Sequence, residues 1–129
     1  VGLLTALVAS PAIAGPNSLT GTIELTGYSI AGPTYGSSVA FTTTVDGKIS
    51  PKARIYVTVV CRQAGEVVYQ WSKWNDSGEY TFDLVDQAGQ GLDWLGGSAQ
   101  CSADLISRVE KGKSAEITYL DRVVFDVLG

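Results

Sequence analysis

Residues 55–71 read Ile-Tyr-Val-Thr-Val-Val-Cys-Arg-Gln-Ala-Gly-Glu-Val-Val-Tyr-Gln-Trp. Ile55, Val57, Val59 and Cys61 fall on one side of an alternating pattern, with Tyr56, Thr58 and Val60 on the other. A period of two carried by β-branched and aromatic residues is the pattern of a half-buried strand. Ala64-Gly65 marks a turn, and Val67, Tyr69 and Trp71 begin the next strand with the same period.

The period continues in both directions. Leu19, Ile23 and Leu25 sit among Thr and Glu, and Val39, Phe41, Thr43 and Val45 alternate with Ala40, Thr42 and Thr44. Tyr80, Phe82 and Leu84 follow, then Ala99, Cys101, Ala103 and Leu105. The last segment carries Ile117 and Tyr119, then Val123, Phe125 and Val127. Asp46-Gly47, Asn75-Asp76-Ser77-Gly78 and Lys111-Gly112-Lys113 read as turns, and residues 86–98, rich in glycine, as a loop. Seven short strands with turns between them spell an all-β, two-sheet antiparallel sandwich. Asp121 interrupts the inward face of the last strand. It marks either a bulge that re-aims the strand or a strand that outruns its sheet.

A chain of 129 residues makes one domain, with 45% hydrophobic and 17% charged residues that place it among globular proteins. The net charge of −4 is spread without a basic run, so no nucleic-acid partner is expected. Histidine is absent, which removes the commonest general base and metal ligand. The carboxylates Asp83, Asp86, Asp93, Asp121 and Asp126 show no spacing that demands paired acid–base work, and they read as surface charges. Asn75 to Glu79 and Asp86-Gln87 offer oxygens without the layout of a calcium loop, so they read as turn chemistry. No catalytic, cofactor or metal residues are assigned, and the chain reads as a non-enzyme. Trp71 reads as core. Trp74 and Trp94 are the candidates for an exposed aromatic surface, although Trp94, in the glycine loop, could instead fold back as a plug.

Cys61 and Cys101 are the only cysteines. In a small β-rich chain they suggest one disulfide, the alternative being two buried thiols. The order Cys61, Trp71, Cys101 matches the immunoglobulin-like pattern, in which a bridge joins the two sheets and a Trp on the intervening strand packs on it. Ala99 stands where antibody domains place a tyrosine, so the chain resembles a compact immunoglobulin-like sandwich rather than an antibody domain.

Three segments carry a narrower resemblance: Ser38 to Thr42, Ile55 to Tyr69, and Gly97-Ser98-Ala99-Gln100-Cys101-Ser102-Ala103-Asp104-Leu105. A strand ending in Cys, a short Gly turn, Val-Tyr and a later Gly-x-Ala-x-Cys-x-Ala-x-Leu resemble small virion proteins of tailed phages infecting actinobacteria. The resemblance spans residues 35–107. It implies an immunoglobulin-like module on a capsid or tail, a decoration, cement or minor tail protein without catalytic residues. Its partners would be major capsid or tail subunits, met in many copies of a symmetric assembly, with weak contact to host-surface glycans. It would be assembled in the host cytoplasm and carried on the virion.

The chain starts Val-Gly-Leu-Leu-Thr-Ala-Leu-Val-Ala-Ser-Pro-Ala-Ile-Ala, and its Ala12-Ile13-Ala14 ending resembles an export cleavage site. No Lys or Arg precedes Lys48, Pro11 interrupts the run, and the apolar stretch falls short of the ~20 residues of a membrane span. Residues 1–18 therefore read as an apolar docking arm, and 19–129 as the sandwich. Leu3, Leu4, Leu7, Val8 and Ile13 are the expected partner-binding residues. The alternative is a secreted actinobacterial surface or carbohydrate-binding domain with residues 1–14 as export signal.

Overall fold

A computed structural model describes residues 19–129. The proposed arm, with Leu3, Leu4, Leu7, Val8 and Ile13, lies outside the described residues.

The described chain forms seven strands: β1 (Thr20–Gly27), β2 (Ser38–Asp46), β3 (Ala53–Gln63), β4 (Glu66–Trp74), β5 (Glu79–Asp83), β6 (Ala99–Lys111) and β7 (Ser114–Val127). They divide into a three-stranded sheet, β1-β2-β5, and a four-stranded sheet, β4-β3-β6-β7, with every strand pair antiparallel. Alternation drives both. Val39 and Phe41 of β2, Val57, Val59 and Cys61 of β3, and Cys101, Ala103 and Leu105 of β6 all face one buried core. Phe41 joins the sheets, meeting Phe82 edge-on at 5.9 Å and Phe125 of β7 at 5.6 Å.

The turns follow the punctuation. Ala64 (φ 51°) and Gly65 (φ 85°) link β3 to β4 through two positive-φ residues, the geometry that matches the twist of a tight hairpin. Gly78 (φ 81°) closes the β4–β5 turn, where its carbonyl accepts from the Thr43 backbone N–H at 2.8 Å.

Cys61 and Cys101 are bonded, in line with the expected disulfide. The bridge does not join the sheets, however. Cys61 lies on β3, directly opposite Cys101 on β6 of the same sheet, with Cα atoms 4.0 Å apart. Trp71 does not pack on it either. A register shift opposite Cys61 and Arg62 leaves Val68 as an extra residue in β4. Beyond it, Trp71 pairs with Val59 at the sheet edge and stays 40% exposed, so the expectation of a core Trp71 is corrected.

At Asp121 the structure has a bulge. Leu105 faces Asp121 while Ile106 faces Tyr119, so Leu120 is the extra residue. The carboxylate points back across the sandwich, and Oδ2 accepts from the Ile23 backbone N–H at 2.8 Å. This bond ties edge strand β1 to β7. Gly21 allows the close approach there, since a Cβ would sit 2.9 Å from Leu105 Cδ2 and 3.1 Å from the Thr44 carbonyl.

Candidate interaction surfaces

The inward side of the strands is spent on the core except along the second half of β4, so function has the outer sides, the loops and the edges to use. The two outer faces differ sharply. On the three-stranded sheet, β1 shows Thr20, Thr22, Glu24 and Thr26, β2 shows Ser38, Ala40, Thr42, Thr44 and Asp46, and β5 shows Glu79, Thr81 and Asp83. Among the described residues this face holds hydroxyls and carboxylates, with no basic side chain and no large apolar one. Its hydroxyls satisfy one another or a carboxylate: Thr26 Oγ1 lies 2.9 Å from Thr42 Oγ1, and Ser38 Oγ donates to Asp83 at 2.5 Å.

The outer face of the four-stranded sheet sets aromatic and apolar side chains among charged and hydroxyl ones, including Thr58, Ser72, Ser102, Asp104 and Asp126. Register places Trp74, Tyr56, Ile106 and Tyr119 side by side in one row across β4, β3, β6 and β7. At about 4.8 Å per strand the row spans roughly 14 Å. Tyr119 is 71% and Trp74 47% exposed. The next row brings Arg54 directly opposite Arg108, with Ile117 beside it on β7. Like charges placed opposite each other destabilise a sheet. Here Arg54 lies over the Trp74 ring at 4.5 Å, and Arg108 Nε donates to Glu110 at 2.9 Å. Arg62 and Arg122 occupy the same face, so all four arginines of the chain stand there. Arg122 makes a two-pronged bond to Asp104, at 2.5 and 3.0 Å, which raises the guanidinium pKa further.

The aromatic candidates therefore split. Trp74 is exposed on this face. Trp94 is fully buried, and its expected place on an exposed surface is corrected. Its indole packs between Tyr35 (4.9 Å) and Tyr69 (6.0 Å) and donates Nε1–H to the Gly97 carbonyl at 3.0 Å. Asp86 Oδ1 accepts its backbone N–H, and Tyr35 Oη donates to its carbonyl. The buried ring pins the 84–98 loop to the sandwich, together with buried Leu84 and the bonds of Gln63 to the Gly96 and Ser98 carbonyls. Tyr69 beside it has its phenol pushed up to about 12, chiefly by burial and then by the Asp83 charge.

The carboxyl-bearing turns serve local structure. Asn75 Oδ1 accepts from the Ser77 N–H, and Nδ2 donates to the Glu79 carbonyl. Gln87 holds the free edge of β4, its amide accepting from the Gln70 N–H at 2.8 Å and donating to the Gln70 carbonyl at 3.0 Å. Among the described residues no three Cys, Asp or Glu side chains gather as a metal site, and no helix is long and apolar enough to cross a membrane.

Sequence reasoning did not single out Tyr56, Ile106, Ile117, Tyr119, Arg54 or Arg108. A signal was present: Tyr56 and Val60 are apolar on the side of β3 that alternation leaves to water. A strand apolar on both sides asks for cover on both. Comparison with protein-family models, curated proteins and solved structures finds no match to this chain.

Proposed function

We propose that this chain is a non-enzymatic binding module, an immunoglobulin-like sandwich that docks a protein partner on the outer face of its four-stranded sheet. The observation that carries the reading is the asymmetry of the two outer faces. One holds only small polar and acidic groups besides Ala40, while the other concentrates Trp74, Tyr56, Tyr119, Ile117 and four arginines. Aromatic residues and Arg are enriched in the cores of protein interfaces and among their energetic hot spots. The strand order supports the immunoglobulin-like assignment, with the fourth strand joined to the sheet of the third, sixth and seventh.

In the setting that the sequence resemblance implies, the partner is a capsid or tail subunit of a phage particle. The bridge between Cys61 and Cys101 fits a protein that meets an oxidising medium, as a virion surface does. The same bridge favours a second reading, a secreted surface domain. Particles purified by density gradient separate the two: a virion protein co-sediments in many copies, and a secreted domain stays in the particle-free medium.

A photo-crosslinking amino acid tests the docking face. Placed at Tyr119 in cells that produce the chain with its partners, it should link to a protein subunit. Placed at Thr44, on the hydroxyl-rich face, it should not. Links from 44 and none from 119 would reverse the assignment.

A further inference from the structure

Trp71 belongs to neither the core nor the docking face. Its register partner Val59 is fully buried, so its side chain leaves β4 on the inward side. The opposite sheet has three strands to cover four. Asp121 pins β1 beneath β7, so the strand left least covered is β4, whose second half is exposed. Lys73, next on that side of β4, reaches inward to donate to the Thr81 carbonyl, and its ammonium lies 5.2 Å from the Phe82 ring centre. Trp71 is left as a wall shared by two cavities. One, of about 240 Å³, is lined by Tyr69, Trp71, Lys73, Asp83 and Val85. The other, shallower and about 490 Å³, is lined by Gln70, Trp71, Ser72, Gln90 and Leu92.

We propose that this cleft binds a saccharide, one pyranose ring stacked on the Trp71 indole and flanked by its polar neighbours. The inference is independent of the docking face, which lies on the other side of the sheet. Three observations converge. First, an indole two-fifths open to water sits where a flat C–H face can cover it. Second, the polar groups left beside it are the Gln90 amide, the Asp83 carboxylate, which also accepts from Ser38, and the Lys73 ammonium, which also donates to the Thr81 carbonyl, a mixed set of donors and acceptors suited to hydroxyls rather than to a single charge. Third, the tighter cavity falls below the ~300–1,000 Å³ of pockets for drug-sized ligands, so it takes one ring. The wall is also braced. Gln87 fixes the backbone of Gln70, and the Val68 bulge sets the direction in which Trp71 leaves the strand. Contact with glycans therefore runs through Trp71 and not through the buried Trp94.

Labelling the full chain with 5-fluorotryptophan resolves three indoles by fluorine NMR. The probes are methyl glucoside, methyl galactoside, methyl mannoside and N-acetylglucosamine, each with its short β- and α-linked oligomers. The expected result is a saturable shift of the Trp71 resonance with at least one of them, while Trp74 and Trp94 stay still. Trp71→Ala should abolish binding with the Trp94 resonance unmoved, which reports an intact fold. Gln90→Ala should weaken binding severalfold. The proposal is overturned if no probe moves Trp71, if the only indole to respond is Trp74, or if Trp71→Ala binds as before.

Discussion

Trp71 and Trp94 differ so much in environment that truncating each should cost very different amounts of stability. Trp94 is fully covered and fills the space between Tyr35 and Tyr69. A tryptophan buries about 200 Å². At about 25 cal/mol per Å² its removal forfeits about 5 kcal/mol, an upper estimate because the unfolded chain already hides part of that area. The lost hydrogen bond to Gly97 adds little, since that carbonyl is near solvent and water can replace the indole. Trp94→Ala should therefore cost about 3–5 kcal/mol, the usual range for a buried Trp. Water already reaches two-fifths of Trp71, and its loss leaves an open groove instead of a sealed void. Trp71→Ala should cost about 1 kcal/mol. For a domain of this size 1 kcal/mol is worth roughly 4 °C, so the melting temperatures should fall by roughly 12–20 °C for Trp94→Ala and roughly 4 °C for Trp71→Ala. Urea unfolding followed by far-ultraviolet circular dichroism is the assay, because each variant loses a fluorescent probe. Equal losses, or a larger loss at Trp71, would refute the argument that the buried Trp94 ring is the main anchor of the 84–98 loop.

Opening the Cys61–Cys101 bridge, which spans 40 residues of sequence, should lower stability by about 4 kcal/mol if loop entropy dominates; urea midpoints of the Cys61→Ala/Cys101→Ala variant against the oxidised protein give the number. Tyr69 makes the protein sensitive to base. Its phenol ionises near 10 when unfolded and at about 12 when folded, so its contribution is whole below pH 10 and is lost as pH rises toward 12. The loss should be of order 2 kcal/mol, in the same direction as that from buried Tyr80. Urea midpoints between pH 8 and 11 should fall less steeply in Tyr69→Phe than in the parent; parallel curves would exclude this cause. Asp121→Ala strands the Ile23 N–H and should cost about 1–3 kcal/mol, and hydrogen exchange at Ile23 should speed up more than at Phe41.

The period of two made the strands legible, because a side chain's face is fixed by local geometry alone. The turns at Ala64-Gly65 and Asn75 to Gly78 were legible for the same reason, each depending on a positive φ or a short side-chain bond. What stayed hidden depended on which strand lies beside which. Cys61 opposite Cys101 in one sheet and a bridge between two sheets need the same residues in the same chain order, so order could not choose between them. Trp71 looked like core because its alternation is right. Its exposure comes from the number of strands in the opposite sheet, which no local pattern records. For Trp94 the sequence left an exposed ring and a plug folded back from the glycine loop both open. The glycines of that loop, including Gly96 (φ 107°) and Gly97 (φ 89°), let it bend back and bury the ring.

Strand β4 serves both surfaces, and this follows from parity. Trp71 and Trp74 are three residues apart, so they leave the strand on opposite sides. One walls the cleft and the other ends the aromatic row beneath Arg54. The strand between them is held on one edge by the β3 ladder. At its start it is held on the other edge by Gln87, and Lys73 anchors its second half to β5. Gln70 and Ser72 border the cleft yet leave β4 on the side of Trp74, and the Ser72 hydroxyl lies 2.8 Å from that of Thr58 on the outer face. An occupant of the cleft and a partner on the outer face would touch the same strand and meet at Ser72. Coupling between sites needs a shared partner or an element with two arrangements, and Ser72 is where β4 offers the first. A module built this way can stay fixed to an assembly through one face of β4 while the other face samples what passes in solution.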